Sequence, residues 1–350
     1  MARASVADPA SGEHADPAAS ARLRRLTRPY QTPALRRSLA QMATTFLPFL
    51  AVCALMYVTV ERSYWLTLAL AVVAAGLMVR IFIIQHDCGH GSFFRSRRAN
   101  DAVGVLCSLF TLTPYANWRQ QHAGHHANWN NLDRRNSGVD IYSTCLTTAE
   151  YRALSRGRRI AYRAACHPAV SLLLLPPLIF LLLYRVPFDT PRARRAERRS
   201  VHMTNAALVA VFATLGLLLG FDELVLVQLP ISVIAAVFGV WLFSIQHRFE
   251  RTTWLRRDRW DPVTVSLRGS SCLRLPAVLR WFTGNIGYHH VHHLNARIPN
   301  YRLRACHEAS DALQAVPVLT LGAALRSYRF ALWDEGRGRM IRFAEADAGA

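Results

Sequence analysis

Lysine is missing from this sequence: all 42 basic residues are arginine, and with 22 acidic residues they leave a formal charge of +20. Arginine in place of lysine reads as genome base composition, whereas the charge itself has functional alternatives. A nucleic-acid surface would gather that charge around a recognition motif, and none is present, so nucleic acid is excluded as a partner. Basic loops on the cytoplasmic side of a membrane account for the excess. An acidic redox protein docking on that side is compatible with it. Also missing is any C-x-x-C pair. The seven cysteines (53, 88, 107, 145, 166, 272 and 306) are odd in number, which argues against a disulfide framework and for a reducing compartment. Cys88, inside a histidine cluster, is expected to pack and not to ligate. No cleaved signal peptide is expected, because the first apolar run starts late and is too long.

What the chain does have is apolar length. Residues 42–60 and 64–84 each give about 20 mostly apolar positions, the length a hydrocarbon core of about 30 Å demands. Residues 205–220 and 224–246 repeat the pattern, and buried helices of a soluble protein rarely run so long without a polar face. Residues 102–116 and 169–188 are weaker. The second carries Pro176-Pro177 and precedes the basic run 192–199, so it is expected to be re-entrant or interfacial; the first is expected to dip without crossing. The expected fold is an all-α polytopic membrane protein with four transmembrane helices in two hairpins, re-entrant or interfacial segments and a cytoplasmic helical cap. Its expected division is a disordered tail over 1–35, a membrane domain over 36–335 with cytoplasmic portions 85–204 and 247–335, and a C-terminal tail over 336–350. An amphipathic stretch over 316–330 is expected to cap the domain.

Three histidine clusters turn this layout into a metal-site problem. His86 and His90 leave the second span four residues apart; His122, His125 and His126 follow, and His289, His292 and His293 come much later. Spacings of i, i+3 and i+4 put imidazoles on one helical face. The layout places all three clusters on one side of the membrane. Eight histidines are too many for one tetrahedral zinc and fit two metals, with iron, copper or zinc allowed by ligand type. His247, at the end of the fourth span, is a ninth candidate by position. His290 breaks the spacing and faces elsewhere; His14, His167, His202 and His307 have no partners. Asp87, Asp133, Asp140, Glu250 and Asn285 are candidates to receive the ligands' second N–H.

The boxes His-Asp-Cys-Gly-His-Gly-Ser-Phe-Phe (86–94), His-Ala-Gly-His-His (122–126) and His-His-Val-His-His-Leu-Asn-Ala-Arg-Ile-Pro-Asn-Tyr (289–301) resemble those of the membrane fatty acid desaturase family. The resemblance covers about residues 40–335 and is nearest to bacterial acyl-lipid omega-6/Δ12-type members. It implies a non-haem di-iron centre held by His86, His90, His122, His125, His126, His289, His292 and His293, with His247 matching the family's extra histidine. It further implies O2 as co-substrate and removal of two hydrogens from an unactivated acyl chain, in a bacterial inner membrane with the site on the cytoplasmic face. Because no cytochrome b5-like His-Pro-Gly-Gly motif is present, electrons are expected from a separate donor such as ferredoxin or another small redox protein.

Two other readings remain at this level. A hydroxylase or ketolase acting on a fatty acid, alkane or carotenoid would share the scaffold, and its product would differ only through substrate placement. A metal transporter would place ionisable residues near the membrane midplane, and the spans hold almost none.

Overall fold

Among the described residues of the computed structural model, 17–135 and 144–348, four helices are long and apolar enough to cross a membrane. The chain opens with α1 (Pro17–Thr27), followed by the first long pair, α2 (Leu35–Thr59) and α3 (Tyr64–His90). Ser63 caps α3 by accepting from the Leu66 amide. At 27 residues α3 is about 40 Å long, longer than the roughly 30 Å of a hydrocarbon core, and its last turns carry His86 and His90. Gly91, at φ 66°, ends the helix in the left-handed conformation that glycine accepts without a steric penalty.

Next come α4 (Arg97–Thr111) and α5 (Tyr115–Asn128), folded back against the end of α3. Gly104 makes this possible, since a Cβ there would lie 2.3 Å from the Tyr115 ring. Tyr115 donates to the Cys88 carbonyl at 2.9 Å, which fixes the start of α5 beside the first histidine pair. The Gln85 side chain, donating to Thr113 O and accepting from Thr111, holds the connection between α4 and α5.

β1 (Leu146–Thr147), α6 (Thr148–Ala153) and α7 (Arg156–Cys166) lead into a π-helical run, Ala169–Leu174, and α8 (Leu175–Leu181). This second part is bent 57° from α7. Pro176 and Pro177 lack the N–H groups that an α-helix through this point would use. The second long pair, α9 (Arg195–Leu219) and α10 (Phe221–His247), turns at Gly220, φ 93°. Leu217, Leu218 and Val209 on α9 are exposed, as lipid-facing side chains are when no helix covers them. One apolar core joins α2, α3, α4 and α10, with α3 innermost.

The cap follows: α11 (Pro262–Arg268), β2 (Cys272–Arg274), α12 (Ala277–Phe282), α13 (His289–Leu294), α14 (Asn300–Glu308), α15 (Asp311–Gln314), β3 (Val318–Thr320), α16 (Leu321–Arg326), β4 (Leu332–Asp334), β5 (Arg339–Ile341) and α17 (Phe343–Ala348). β2 pairs parallel with β3, while β4 lies between parallel β1 and antiparallel β5. The fold is mainly helical with four long apolar helices, as expected. Both tails need correction. Disorder was expected over 1–35, but the described part of that stretch, from Pro17 on, is folded: Leu23, Leu26 and Tyr30 pack on the cap core, and Thr27 accepts from Asn295 at 2.8 Å; residues 1–16 lie outside the described residues. The C-terminal stretch 336–350 supplies β5 and α17, because Met340 and Ile341 are buried there and their backbones complete a sheet.

Candidate metal centre

Four elements bring all nine candidate histidines together. The last turn of α3 gives His86 and His90, whose ring centroids are 4.7 Å apart. α5 gives His122, His125 and His126; the short α13 gives His289, His292 and His293; the final residue of α10 is His247. Their donor atoms sort into two groups, His86, His90, His122, His126 and His292 in one and His125, His247, His289 and His293 in the other. Within each group these atoms lie within 4.8 Å of one another.

Helix geometry explains the division. At 100° per residue, i and i+4 sit about 40° apart around the axis and i+3 about 60° to the other side. In α5 the i, i+4 pair (His122, His126) serves the five-histidine group and the i+3 member, His125, serves the other. In α13 the assignment is reversed: His289 and His293 join the group of four and His292 the group of five. One H-x-x-H-H helix therefore addresses two centres, and two such helices do so crosswise.

The nitrogens fit metal ions better than they fit one another. In the five-histidine group Nε2 atoms approach at 3.1 Å (His86–His292), 3.0 Å (His90–His122), 3.2 Å (His122–His126) and 3.0 Å (His126–His292). In the four-histidine group the approaches are 2.9 Å (His247–His289), 3.1 Å (His247–His293), 3.0 Å (His289–His293) and 3.3 Å (His125–His293). A neutral imidazole has one N–H, so it cannot bond through the same Nε2 to several acceptors in turn. Two imidazole nitrogens sharing a metal at about 2.0–2.1 Å stand about 3.0–3.4 Å apart, the spacing seen. Burial first, and neighbouring imidazoles second, hold His122, His126, His289, His292 and His293 well below the ordinary imidazole range. Neutral rings of this kind present lone pairs.

The surroundings of the two groups differ. Asp87 Oδ1 lies 3.2 Å from His86 Nδ1. Its other oxygen accepts from the Asn300 amide at 2.7 Å and the Asn300 side chain at 2.8 Å. Each such bond to a charged acceptor contributes about 1.5–3 kcal/mol, and together they lock the end of α3 to the start of α14. His247 instead has the Gly269 carbonyl at 3.3 Å and the Ser270 hydroxyl at 3.5 Å. Nδ1 of His289 and of His293 has no hydrogen-bond partner among the described residues. Trp118 stacks on His122 at 4.7 Å, and Trp129 covers His293 at 4.4 Å. Of the expected supporting residues that fall among the described ones, only Asp87 reaches the site. Asp133 pairs with Arg256 and Glu250 with Arg339 on the surface, Asn285 occupies a left-handed turn, and Asp140 lies outside the described residues. Asn300, Trp118 and Trp129 were not singled out from the sequence. His290 turns away from both groups toward His307.

An apolar cavity of about 160 Å³ ends on this centre. Met78, Phe82, Phe180, Tyr184, Phe243 and the small residues Ala235, Ala236 and Gly239 line it, and it touches His86 and His122 of one group and His125 and His289 of the other. A Cβ on Gly239 would meet nothing within 4 Å.

Comparison with known proteins gives a consistent picture. A family model described as fatty acid desaturase matches residues 63–320. The chain is 44% identical over 314 residues to a fatty acid desaturase of Bacillus subtilis, covering 90% of this chain and 88% of that one. It is 29% identical over 239 residues to an sn-1 acyl-lipid omega-3 desaturase (ferredoxin) of Synechocystis, covering 65% and 63% of the two chains. It is 28% identical over 284 residues to an acyl-lipid omega-3 desaturase (cytochrome b5) of Arabidopsis thaliana, covering 77% and 70%.

Proposed function

The chain belongs to the fatty acid desaturase family, and from that premise we propose that its nine clustered histidines hold two iron ions at the end of an acyl-chain slot. The protein is an integral membrane oxidoreductase acting on acyl chains. The observation that carries the iron assignment is an apolar cavity lined by histidines of both nitrogen-only groups at once. Bound there, iron would supply the O2-dependent chemistry that removes hydrogens from an unactivated chain. Converting CH2–CH2 to CH=CH while O2 becomes two waters takes two electrons from the chain and two from elsewhere. We assign the second pair to an external donor such as ferredoxin, and the exposed Arg192, Arg194 and Arg195 give an acidic protein a charged face to approach.

This chain's residues perform the positioning. Phe82, Tyr184 and Phe243 form the slot's aromatic wall, and Ala235, Ala236 and Gly239 leave a groove along α10 where an alkyl chain can lie. Filling it excludes water from the reacting carbons. Which carbon faces the histidines then follows from how far the chain enters. We place the centre on the cytoplasmic face of a bacterial inner membrane, because the C-terminal ends of α3 and α10 meet at it and the bent 156–185 segment reads as re-entrant under the positive-inside rule.

Gas chromatography–mass spectrometry of total fatty acids from a bacterial host making the protein, beside one making His122→Ala, tests the reading. A new double bond absent from the variant is expected; an oxygenated chain would move the assignment to hydroxylation. Gly239→Leu places a side chain in the groove from a position where a Cβ meets nothing within 4 Å, and is expected to cut turnover of long chains about tenfold while iron content stays unchanged.

A further inference from the structure

A third cluster of metal-binding side chains stands behind the histidine centre and takes no part in it. We propose that Cys272, His290 and His307 form a separate zinc site that braces α13 from its far side. The three come from different elements: Cys272 opens β2, His290 lies on α13 and His307 near the end of α14. Their donor atoms lie within 4.8 Å of one another. His290 Nε2 is 3.1 Å from His307 Nδ1, the spacing that two nitrogens on one ion adopt.

The positions are fixed by backbone and not by side-chain chance. The Cys272 amide donates to Pro317 O at 2.9 Å, β2 pairs with β3, and Cys272 also bridges to Tyr288, the residue before α13. Cys272 and His290 are buried, and His307 is partly exposed. An ion would therefore have three protein ligands with solvent reaching its fourth position. One sulfur and two imidazole nitrogens suit tetrahedral zinc.

The chemistry of the isolated groups favours ligation over the alternatives. Burial pushes the Cys272 thiol up to about 11, so without a metal it is no nucleophile at neutral pH. A hydrogen bond between the His290 and His307 rings would account for their approach but leaves buried His290 Nδ1 without a partner among the described residues and the sulfur's approach unexplained. An ion uses all three. Because α13 also carries His289, His292 and His293, turned toward the two histidine groups, such an ion would hold that helix by a further, separate side.

The test uses full-length, iron-loaded protein in detergent, titrated with Co(II) as a spectroscopic substitute for zinc. Neither the group of five histidines nor the group of four contains a thiol, so a thiolate-to-cobalt charge-transfer band would report on this cluster whether or not the iron assignment holds. A band that saturates at one cobalt per chain, is displaced by Zn(II) and is lost in both Cys272→Ser and His307→Gln is the expected result. No band in the wild type, or a band that persists in Cys272→Ser, would overturn the site. If Cys272→Ser fails to fold, the partly exposed His307→Gln decides alone, by losing or keeping the zinc equivalent measured by mass spectrometry.

Discussion

The two histidine groups share donors of one kind and differ in nearly everything around them. The group of five includes the partly exposed His90 and His126, and its His86 is backed by the Asp87 carboxylate. The group of four is buried throughout, and behind its His247 stand neutral groups, the Gly269 carbonyl and the Ser270 hydroxyl, while Nδ1 of His289 and of His293 meets no hydrogen-bond partner among the described residues. A carboxylate raises the basicity of the imidazole it holds and orients the ring more firmly than a neutral acceptor does. The same ligand type thus builds one partly exposed group with a carboxylate behind His86 and one buried group with a carbonyl and a hydroxyl behind His247.

The widest effect comes from removing one donor from each side. His292→Ala and His289→Ala are each expected to lower turnover at least about 100-fold, and metal analysis should find a deficit in the group that lost its donor. Near wild-type product from either would break the two-centre division. Asp87→Asn should cost about 10–100-fold in metal affinity or activity, confined to the group of five. Equal loss from both groups in a metal-retention assay would show that the carboxylate acts on the whole cap through Asn300. Chelation of the wild type sharpens the contrast at smaller scale: release is expected in two phases, with the partly exposed group emptying first. A single phase would mean that exposure does not separate them. Ser270→Ala is expected to change activity less than about twofold, since the Gly269 carbonyl remains beside His247 Nδ1.

Much of this was legible in the sequence because the signals were local. Apolar runs of membrane length and histidines spaced at i, i+3 and i+4 depend only on neighbours along one helix, and they gave the four long helices and the nine residues that converge. The partition between the groups was not legible. Spacing alone makes His122, His125 and His126 look like one face, and only the placement of a second centre turns the arc between His125 and His126 into two addresses. Cys272, His290 and His307 escaped for a similar reason: they are 18 and 17 positions apart, and parallel pairing of β2 with β3 brings the first of them into place. Pro17–Thr27 looked disordered because few of its residues are apolar, yet Leu23 and Leu26 suffice once a cap surface exists to receive them.

The crosswise sharing of donors has a consequence for how the molecule is made. A chain emerging from the ribosome has produced His86, His90, His122 and His126, four of the five nitrogens of one group, when little more than a third of it has been synthesised. At that moment the other group has only His125; its remaining members wait for the last residue of α10 and for α13. The gene order therefore staggers the completion of the two groups, one nearly formed before the second helical hairpin enters the membrane and the other assembled only when the last box folds back upon it.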